Sequence, residues 1–176
     1  MASKVTSLAP GSLKVTLRPF ELKEIQTLVN LEKTGEDSWD KEMFAAYFKA
    51  SKVNKRYAVI AEYGVSAVGY VLLELGNKEN YVEIDRIFVN PKFRRRSVGT
   101  QLLNYVYDKS PLIVNCETVF TIIPEDDKAA LDFFKSVKPI KASIYKHPEQ
   151  DSDWIRFDRF IRSVPKKKVV KKKKGS

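Results

Sequence analysis

Residues 89–103 read Val-Asn-Pro-Lys-Phe-Arg-Arg-Arg-Ser-Val-Gly-Thr-Gln-Leu-Leu, and this stretch decides the fold. A β-rich run, Tyr81–Val89, precedes the turn, and apolar residues then recur at helical spacing up to Pro111. A helix N-terminus presents unpaired backbone N–H groups and about half a positive charge. Together with Arg94–Arg96, and with Gly99 allowing close backbone approach, this pattern predicts a site for phosphate.

The strand before this turn carries two carboxylates. A period of two predicts that one face holds Glu83, Asp85, Ile87 and Val89. On that face, Asp85 is expected to raise the pKa of Glu83 by like-charge repulsion, as would suit a general base. The sequence leaves a second interpretation open, in which Glu83 and Asp85 pair with Arg86 or other surface cations.

The pattern on both sides of this unit predicts alternating strands and helices. Before it we expect a strand over Leu13–Pro19, a helix over Glu21–Gly35, a second helix capped by Asp37 or Ser38 with Met43, Phe44, Tyr47 and Phe48 on its apolar face, and a hairpin of Tyr57–Glu62 with Ala67–Leu75. After it we expect a strand over Thr118–Ile123, a helix that buries Ala130, Phe133, Phe134 and Val137, and strands over Ile140–Lys146 and Trp154–Arg162.

Composition limits the classes of function. The chain of 176 residues has a net charge of +10, and seven of those charges come from the lysines of Lys166–Lys174, so only three remain for the rest. The folded body is therefore not expected to be a nucleic-acid binder. The single cysteine, Cys116, and the single histidine, His147, exclude an internal disulfide, a thiolate zinc cluster and a His-rich metal site.

The chain divides into a flexible leader, 1–12, one domain, 13–163, and a disordered lysine-rich tail, 164–176. No signal peptide or membrane-spanning run is recognised, which predicts a cytoplasmic protein without membrane partners, or a nuclear one in a eukaryote. The tail predicts weak, nonspecific attachment to RNA, ribosomes or DNA. It could equally be a solubilising extension.

The turn resembles the acetyl-CoA pyrophosphate loop of the GNAT acetyltransferases, whose pattern is Arg or Gln, two residues, Gly, one residue, Gly or Ala. Arg94 opens the pattern, Ser97 stands where the first Gly is usual, and Gly99 fills the last position. The resemblance extends over roughly Leu13–Arg162 and implies a mixed α/β GNAT fold. Its sheet would be mostly antiparallel, with about six to seven strands flanked by about four helices.

Within that family the chain resembles the bacterial RimI-like group, which acetylates the N-terminal amine of a ribosomal protein. This closer likeness rests on Leu31–Lys33, Trp39–Phe44 and Ala129–Lys135. The predicted function is therefore acetyl-CoA-dependent transfer to a primary amine, on a protein N-terminus or a small molecule. The alternative is a catalytically weakened GNAT-fold module attached to RNA, ribosome or DNA by its tail.

The resemblance also assigns acetyl-CoA, without a metal, to the splayed ends of the strands. Backbone groups of Ile87, Phe88 and Val89 would meet the pantetheine arm. The residues that would surround the pyrophosphate are Arg94, Arg95, Arg96, Ser97, Val98, Gly99 and Thr100. Asp127 matches a position where the family usually has an Asn near the cofactor, or it is simply a helix N-cap.

The reaction implied is direct attack of a neutral amine on the thioester. RimI-like enzymes have a Tyr acid at the position of Phe134 and a Glu base at the position of Ile122, and neither residue here can move a proton. We expect Glu83 to be the base, because histone-type GNAT enzymes carry their catalytic Glu there. Tyr145 is the second catalytic candidate, and with His147 it is expected to bind the acceptor or relay protons.

Overall fold

The computed structural model describes residues 11–35, 38–49, 55–76, 80–114, 116–137, 141–146 and 153–161. The strands in these ranges are β1 (Thr16–Pro19), β2 (Lys55–Tyr63), β3 (Ser66–Leu75), β4 (Tyr81–Val89), β5 (Thr118–Pro124), β6 (Lys141–Lys146) and β7 (Asp153–Phe160). The helices are α1 (Ile25–Glu32), α2 (Lys41–Lys49), α3 (Val98–Val114) and α4 (Lys128–Ser136). The predicted mixed α/β class is confirmed.

The seven strands form one sheet in the order β1-β2-β3-β4-β5-β7-β6. Every neighbouring pair is antiparallel except β4 and β5, which run parallel. The parallel ladder is short, because it ends where Glu83 pairs with Phe120. Beyond that pair the two strands no longer pair, although the Thr121 hydroxyl still donates to the carbonyl oxygen of Ile84 at 2.9 Å. We call the region between 84–89 and 121–124 the strand gap.

Two apolar clusters cover the two faces of the sheet. Helices α3 and α4 pack on one face, where the buried side chains include Leu102, Leu103, Val106, Leu131 and Phe134. Helices α1 and α2 pack on the other, where they include Leu28, Val29, Phe44 and Tyr47. The sheet is therefore buried on both sides, which explains the nearly continuous apolar run of β3.

Strand β4 contains an irregularity that the hydrophobic pattern did not predict. Leu72 of β3 pairs with Arg86, but the next residue, Leu73, pairs with Ile84. Asp85 is therefore an extra residue on β4, which makes this point a β-bulge.

The bulge reverses the alternation of side chains along β4. The α3/α4 cluster is contacted by even-numbered residues before the bulge and odd-numbered residues after it, namely Val82, Ile84, Ile87 and Val89. Glu83 therefore points to the α1/α2 face, and Asp85 accepts a hydrogen bond there from Tyr47 of α2. The prediction that Glu83, Asp85, Ile87 and Val89 share one face is wrong, because a strict period of two takes no account of an inserted residue.

Two helix boundaries also differ from the predictions. Helix α3 continues past Pro111 to Val114. A proline in this position costs one backbone hydrogen bond but has a helical φ, so it does not oblige the helix to end. Helix α2 is capped by Asp40, whose Oδ1 accepts from the Met43 amide at 2.8 Å, rather than by the predicted Ser38. The other predicted cap, Asp37, lies outside the described residues.

Several predictions fall on residues outside the described ranges. They concern most of the leader, His147 and the lysine-rich tail. In the part of the chain that is described, no helix combines the length and the apolar character needed to cross a bilayer.

Candidate active site

Residues 94–100, here called the arginine loop, connect the end of β4 to helix α3. Arg95 and Ser97 have φ angles of 61° and 64°, in the left-handed region. Backbone that alternates between right- and left-handed conformations gathers its N–H groups into a concave site for anions. Val98 is buried, so it can offer only its backbone N–H. This backbone geometry, at the start of a 17-residue helix, fits the pyrophosphate predicted to lie there.

The side chains of the loop add positive charge around that backbone. Arg94, Arg95 and Arg96 are all exposed. The Nε of Arg94 donates to the carbonyl oxygen of Val89 at 3.0 Å, which folds this side chain back over the end of β4. The backbone N–H groups at the start of α3 and three exposed arginines therefore belong to one loop, which follows the strand end at the gap.

Backbone donors on β4 line the strand gap itself. The Asn90 amide donates to Val68 of β3 at 2.9 Å. Because N–H direction alternates along an antiparallel pair, Phe88 also points its N–H toward β3, whereas Ile87 and Val89 point theirs into the gap. The Phe88 ring stacks on Tyr70 at 5.8 Å in the core. Of the three residues predicted to meet the pantetheine arm, two offer an N–H to the gap.

The structure gives a reason for a glycine at position 99 that differs from the predicted one. A Cβ built on Gly99 would lie 3.0 Å from the Phe133 ring of α4. The missing side chain therefore lets the first turn of α3 pack against α4. The expectation that Gly99 serves phosphate approach is not supported, because its open side faces an aromatic ring.

Glu83 lies at the closed end of the strand gap, on the α1/α2 face. It stands opposite Glu74 of β3, and Asp85 follows on its own strand. Burial raises the pKa of Glu83 to about 7, and the negative charges of Asp85 and Glu74 add to the increase. This carboxyl therefore changes protonation state near neutral pH.

The pKa of Asp85 is determined by a different balance of interactions. Burial raises its pKa to about 6, although the hydrogen bond from Tyr47 opposes this by stabilising the carboxylate. The Tyr47 Oη lies 2.5 Å from Oδ2 of Asp85. Sequence reasoning missed both Tyr47 and Glu74, because their place beside the carboxylates follows from helix packing and strand register.

The arginines near Glu83 form ion pairs with other carboxylates. Arg86 pairs with Glu32 at 2.9 Å, so the predicted alternative of a pair with Arg86 is not observed. Other arginines in this region pair with their own partners, as Arg56 does with Glu74 and Arg156 with Asp158. Among the described residues Glu83 forms no ion pair, so no cation is paired with its carboxylate.

Tyr145 is not brought beside Glu83. It lies on the edge strand β6 and pairs with Trp154 of β7, which in turn pairs with Pro124 of β5. Glu83 is instead level with Phe120 of β5. Three strand spacings and four residues separate it from Glu83, which amounts to roughly 20 Å. The two predicted catalytic side chains therefore do not form one constellation.

The remaining predicted positions have structural partners. Phe134 is buried and stacks on Phe157 at 6.0 Å, so it is part of the core. Ile122 pairs with Arg156 across the sheet. Asp127 caps α4 by accepting from the Ala130 amide at 3.0 Å, which confirms the helix-cap interpretation.

Comparison with known proteins identifies the same architecture. The model described as "Acetyltransferase (GNAT) family" matches residues 22–137. No curated protein sequence matches the chain. The ribosomal-protein-S18-alanine N-acetyltransferase from Escherichia coli superposes with a TM-score of 0.64 at 14% identity, covering 87% of this chain and 97% of that one.

Two further solved structures extend this likeness. An N-acetyltransferase from Thermoplasma acidophilum in complex with coenzyme A has a TM-score of 0.62 at 13% identity, over 84% of this chain and 99% of that one. The spermidine/spermine N-acetyltransferase SpeG from Vibrio cholerae has a TM-score of 0.58 at 14% identity, over 84% and 95%. At such identities these structures share the fold.

Proposed function

Because the chain belongs to the acetyltransferase (GNAT) family, we propose that it transfers an acetyl group from acetyl-CoA to a primary amine. The observation that carries the proposal is the position of Glu83. This half-buried carboxyl, with a pKa of about 7, stands at the closed end of a gap whose open end is lined by backbone donors and arginines.

The cofactor assignment rests on the arginine loop and the strand gap. Backbone N–H groups at the start of α3 and the guanidinium groups of Arg94–Arg96 would hold the pyrophosphate. The N–H groups of Ile87 and Val89 would hold the amide-bearing arm in the gap, as a neighbouring strand would. When bound, acetyl-CoA supplies the activated thioester carbonyl.

Glu83 is assigned the proton transfer. An amine attacks only in its neutral form, so a base must accept the proton that it loses. A base whose pKa lies near the working pH is largely unprotonated and still basic enough to accept that proton. Asp85 and Glu74 contribute by raising the pKa of Glu83, since an ordinary glutamate would be a weaker base.

The acceptor that we propose is a protein N-terminal α-amine. Its pKa of about 7.7 to 8.0 leaves it appreciably neutral near pH 7.5, whereas a lysine, at about 10.4, is neutral roughly once in a thousand. The name of the Escherichia coli relative includes an alanine of ribosomal protein S18, and the name of the Vibrio cholerae relative includes spermidine and spermine. Small amines are therefore the second acceptor class, and we assign Tyr145 to the acceptor side.

A second candidate function is a binding module with little catalysis. It is favoured by Ile122 and Phe134, which stand where related enzymes carry a base and an acid. In that case Lys166–Lys174 would attach a CoA-binding domain to RNA, a ribosome or DNA. Either function would be exercised in the cytoplasm, or in the nucleus of a eukaryote.

The proposals are separated by measuring binding and transfer together. Acetyl-CoA should raise the melting temperature, because it binds the native state selectively. The full chain is then incubated with acetyl-CoA and three acceptors: a peptide with a free N-terminus, an N-terminally blocked peptide with one internal lysine, and spermidine. We expect the free N-terminus to react fastest.

Each other outcome has a definite meaning. Faster acetylation of the internal lysine or of spermidine would contradict the acceptor assignment. Cofactor binding with no transfer to any acceptor would favour the binding module. No thermal shift and no transfer would overturn the enzyme proposal altogether.

A further inference from the structure

The segment 12–15 precedes the region matched by the family model, which begins at residue 22, yet it contacts the arginine loop. The hydroxyl groups of Ser12 and Ser97 are hydrogen bonded at 2.8 Å. The Leu13 amide donates to the carbonyl oxygen of Arg96 at 2.9 Å. The side chains of Leu13 and Val15 pack against the α3/α4 cluster, so the segment is anchored at this place.

Gln101, in the first turn of α3, joins the segment to the loop. Its Nε2 donates to the carbonyl oxygen of Leu13 at 2.6 Å and to that of Ser97 at 3.2 Å. Its Oε1 accepts from the Val15 amide at 3.3 Å. One side-chain amide thus uses its donors and its acceptor to bind two separate backbone segments.

These bonds fix the direction of the donors that face an anion. In a trans peptide the C=O and the N–H point in opposite directions. Leu13 holds the Arg96 carbonyl on one side, so the N–H of Ser97 points to the other. Gln101 holds the Ser97 carbonyl with both its backbone and its side chain, which directs the N–H of Val98 in the same manner.

The loop needs such support because Ser97 lacks the freedom of a glycine. Its φ of 64° lies in the region where a Cβ is unfavourable. Residues keep such a conformation only when their surroundings impose it. The contacts of Ser97 with Ser12 and Gln101 supply that constraint.

We propose that Gln101 and residues 12–15 form a positioning element that holds the arginine loop in its anion-binding conformation. The affinity of the protein for the pyrophosphate of coenzyme A would then depend on its own N-terminal segment. This inference rests on the proposed use of acetyl-CoA. It assigns a role to residues that do not themselves touch the cofactor.

The first test compares Gln101→Met with Gln26→Met by calorimetric titration with coenzyme A. Methionine has a similar shape to glutamine but cannot make the three amide contacts. The control residue, Gln26, donates to Asn30 on the exposed side of α1 and bonds no other side chain among the described residues. We expect affinity to fall roughly tenfold in Gln101→Met, as two or three lost hydrogen bonds would produce, and to stay unchanged in Gln26→Met. The KM for the acceptor should not change in either variant.

Ser97→Gly provides the rescue. Glycine adopts a positive φ without strain, so the loop should need less support. We expect Gln101→Met to cost clearly less affinity in the Ser97→Gly background than in the wild type. An equal loss in both backgrounds would contradict positioning of the loop.

Hydrogen exchange gives a readout that requires no variant. Binding and segment order are coupled reciprocally, so coenzyme A should slow exchange of the Leu13 and Val15 amides. Unchanged exchange in a protein that binds coenzyme A would overturn the inference, as would unaltered affinity in Gln101→Met. A wild type that fails to bind coenzyme A would instead overturn the proposed cofactor. If Gln101→Met does not fold, Ser12→Ala takes its place, with a smaller loss expected.

Discussion

Burial is the main reason why the pKa of Glu83 is raised, and the negative charges of Asp85 and Glu74 add to it, in a group of neighbours that no single stretch of sequence contains. Glu74 arrives across the β3–β4 pair, Asp85 through the bulge, and Tyr47 from α2 through its bond to Asp85. The pairing of the nearby arginines with other carboxylates leaves the charge of Glu83 poorly compensated. Two measurable properties of the protein depend on this arrangement.

The first is the acetylation rate. Replacing the proposed base in Glu83→Gln should lower the rate at neutral pH at least about tenfold. The loss should shrink as pH rises, because the amine then loses its proton without help. Transfer is measured between pH 6 and pH 9, with the exposed Glu42→Gln of α2 as the control. A rate equal to that of the control would remove Glu83 from the mechanism.

The second is the dependence of stability on pH. The pKa of Glu83 is about 7 in the folded protein, above its ordinary value of 4.5, so between these values the folded state binds more protons than the unfolded state. The free energy of unfolding therefore falls as pH rises through this window. Glu83→Gln should be more stable than the wild type at pH 8, and the difference should vanish near pH 4.5. Urea unfolding midpoints test this, and a constant difference would contradict it.

The contact between α3 and α4 depends on a missing side chain. In Gly99→Val, the new atoms would meet the Phe133 ring and push the helices apart. We expect a loss of about 1 to 3 kcal/mol in the free energy of unfolding without any ligand, the usual cost of overpacking.

The double variant identifies the cause. Phe133→Ala removes the ring, so Gly99→Val should be less destabilising in that background, with Phe133→Ala alone as the reference. Chemical denaturation of the ligand-free protein gives all four values. A Gly99→Val protein of normal stability that fails only to bind coenzyme A would restore the phosphate-approach explanation.

How far the sequence predicts this structure depends on what each feature is made from. The bounds of strand β4 could be predicted correctly, because they depend on its own composition and on the Asn90-Pro91 sequence that directly follows it. The faces of its side chains could not be predicted, because the bulge is set by pairing with β3. Tyr47 looked like one more core aromatic of α2. Only its packing against the sheet reveals the bond to Asp85.

Charge is distributed very unevenly over the molecule as a whole. Lys166–Lys174 hold seven lysines in nine residues, separated only by Val169 and Val170. Such a run cannot read bases, but it can neutralise phosphates. Each contact adds about 0.7 to 0.9 to the slope of log affinity against log salt.

Removing the tail tests its role. Deletion of 166–176 should abolish salt-sensitive RNA binding and leave the affinity for acetyl-CoA unchanged. Binding is followed by fluorescence anisotropy of a labelled single-stranded RNA across a salt series. RNA binding that survives the deletion would place the site on residues 1–165, which carry only three of the ten excess positive charges.

The bulge in β4 also determines which changes of length this gene product can tolerate. Because Asp85 is the extra residue, deleting it would join Ile84 to Arg86 in the register that both already have with β3. Ile87 and Val89 would keep their places in the α3/α4 core, and their N–H groups would still face the gap. A lost codon for Ile84 would instead move the Asp85 carboxylate into that core, at a far greater cost in stability. In descendants of this chain, insertions should therefore collect in the loops, and deletions within β4 should be confined to position 85.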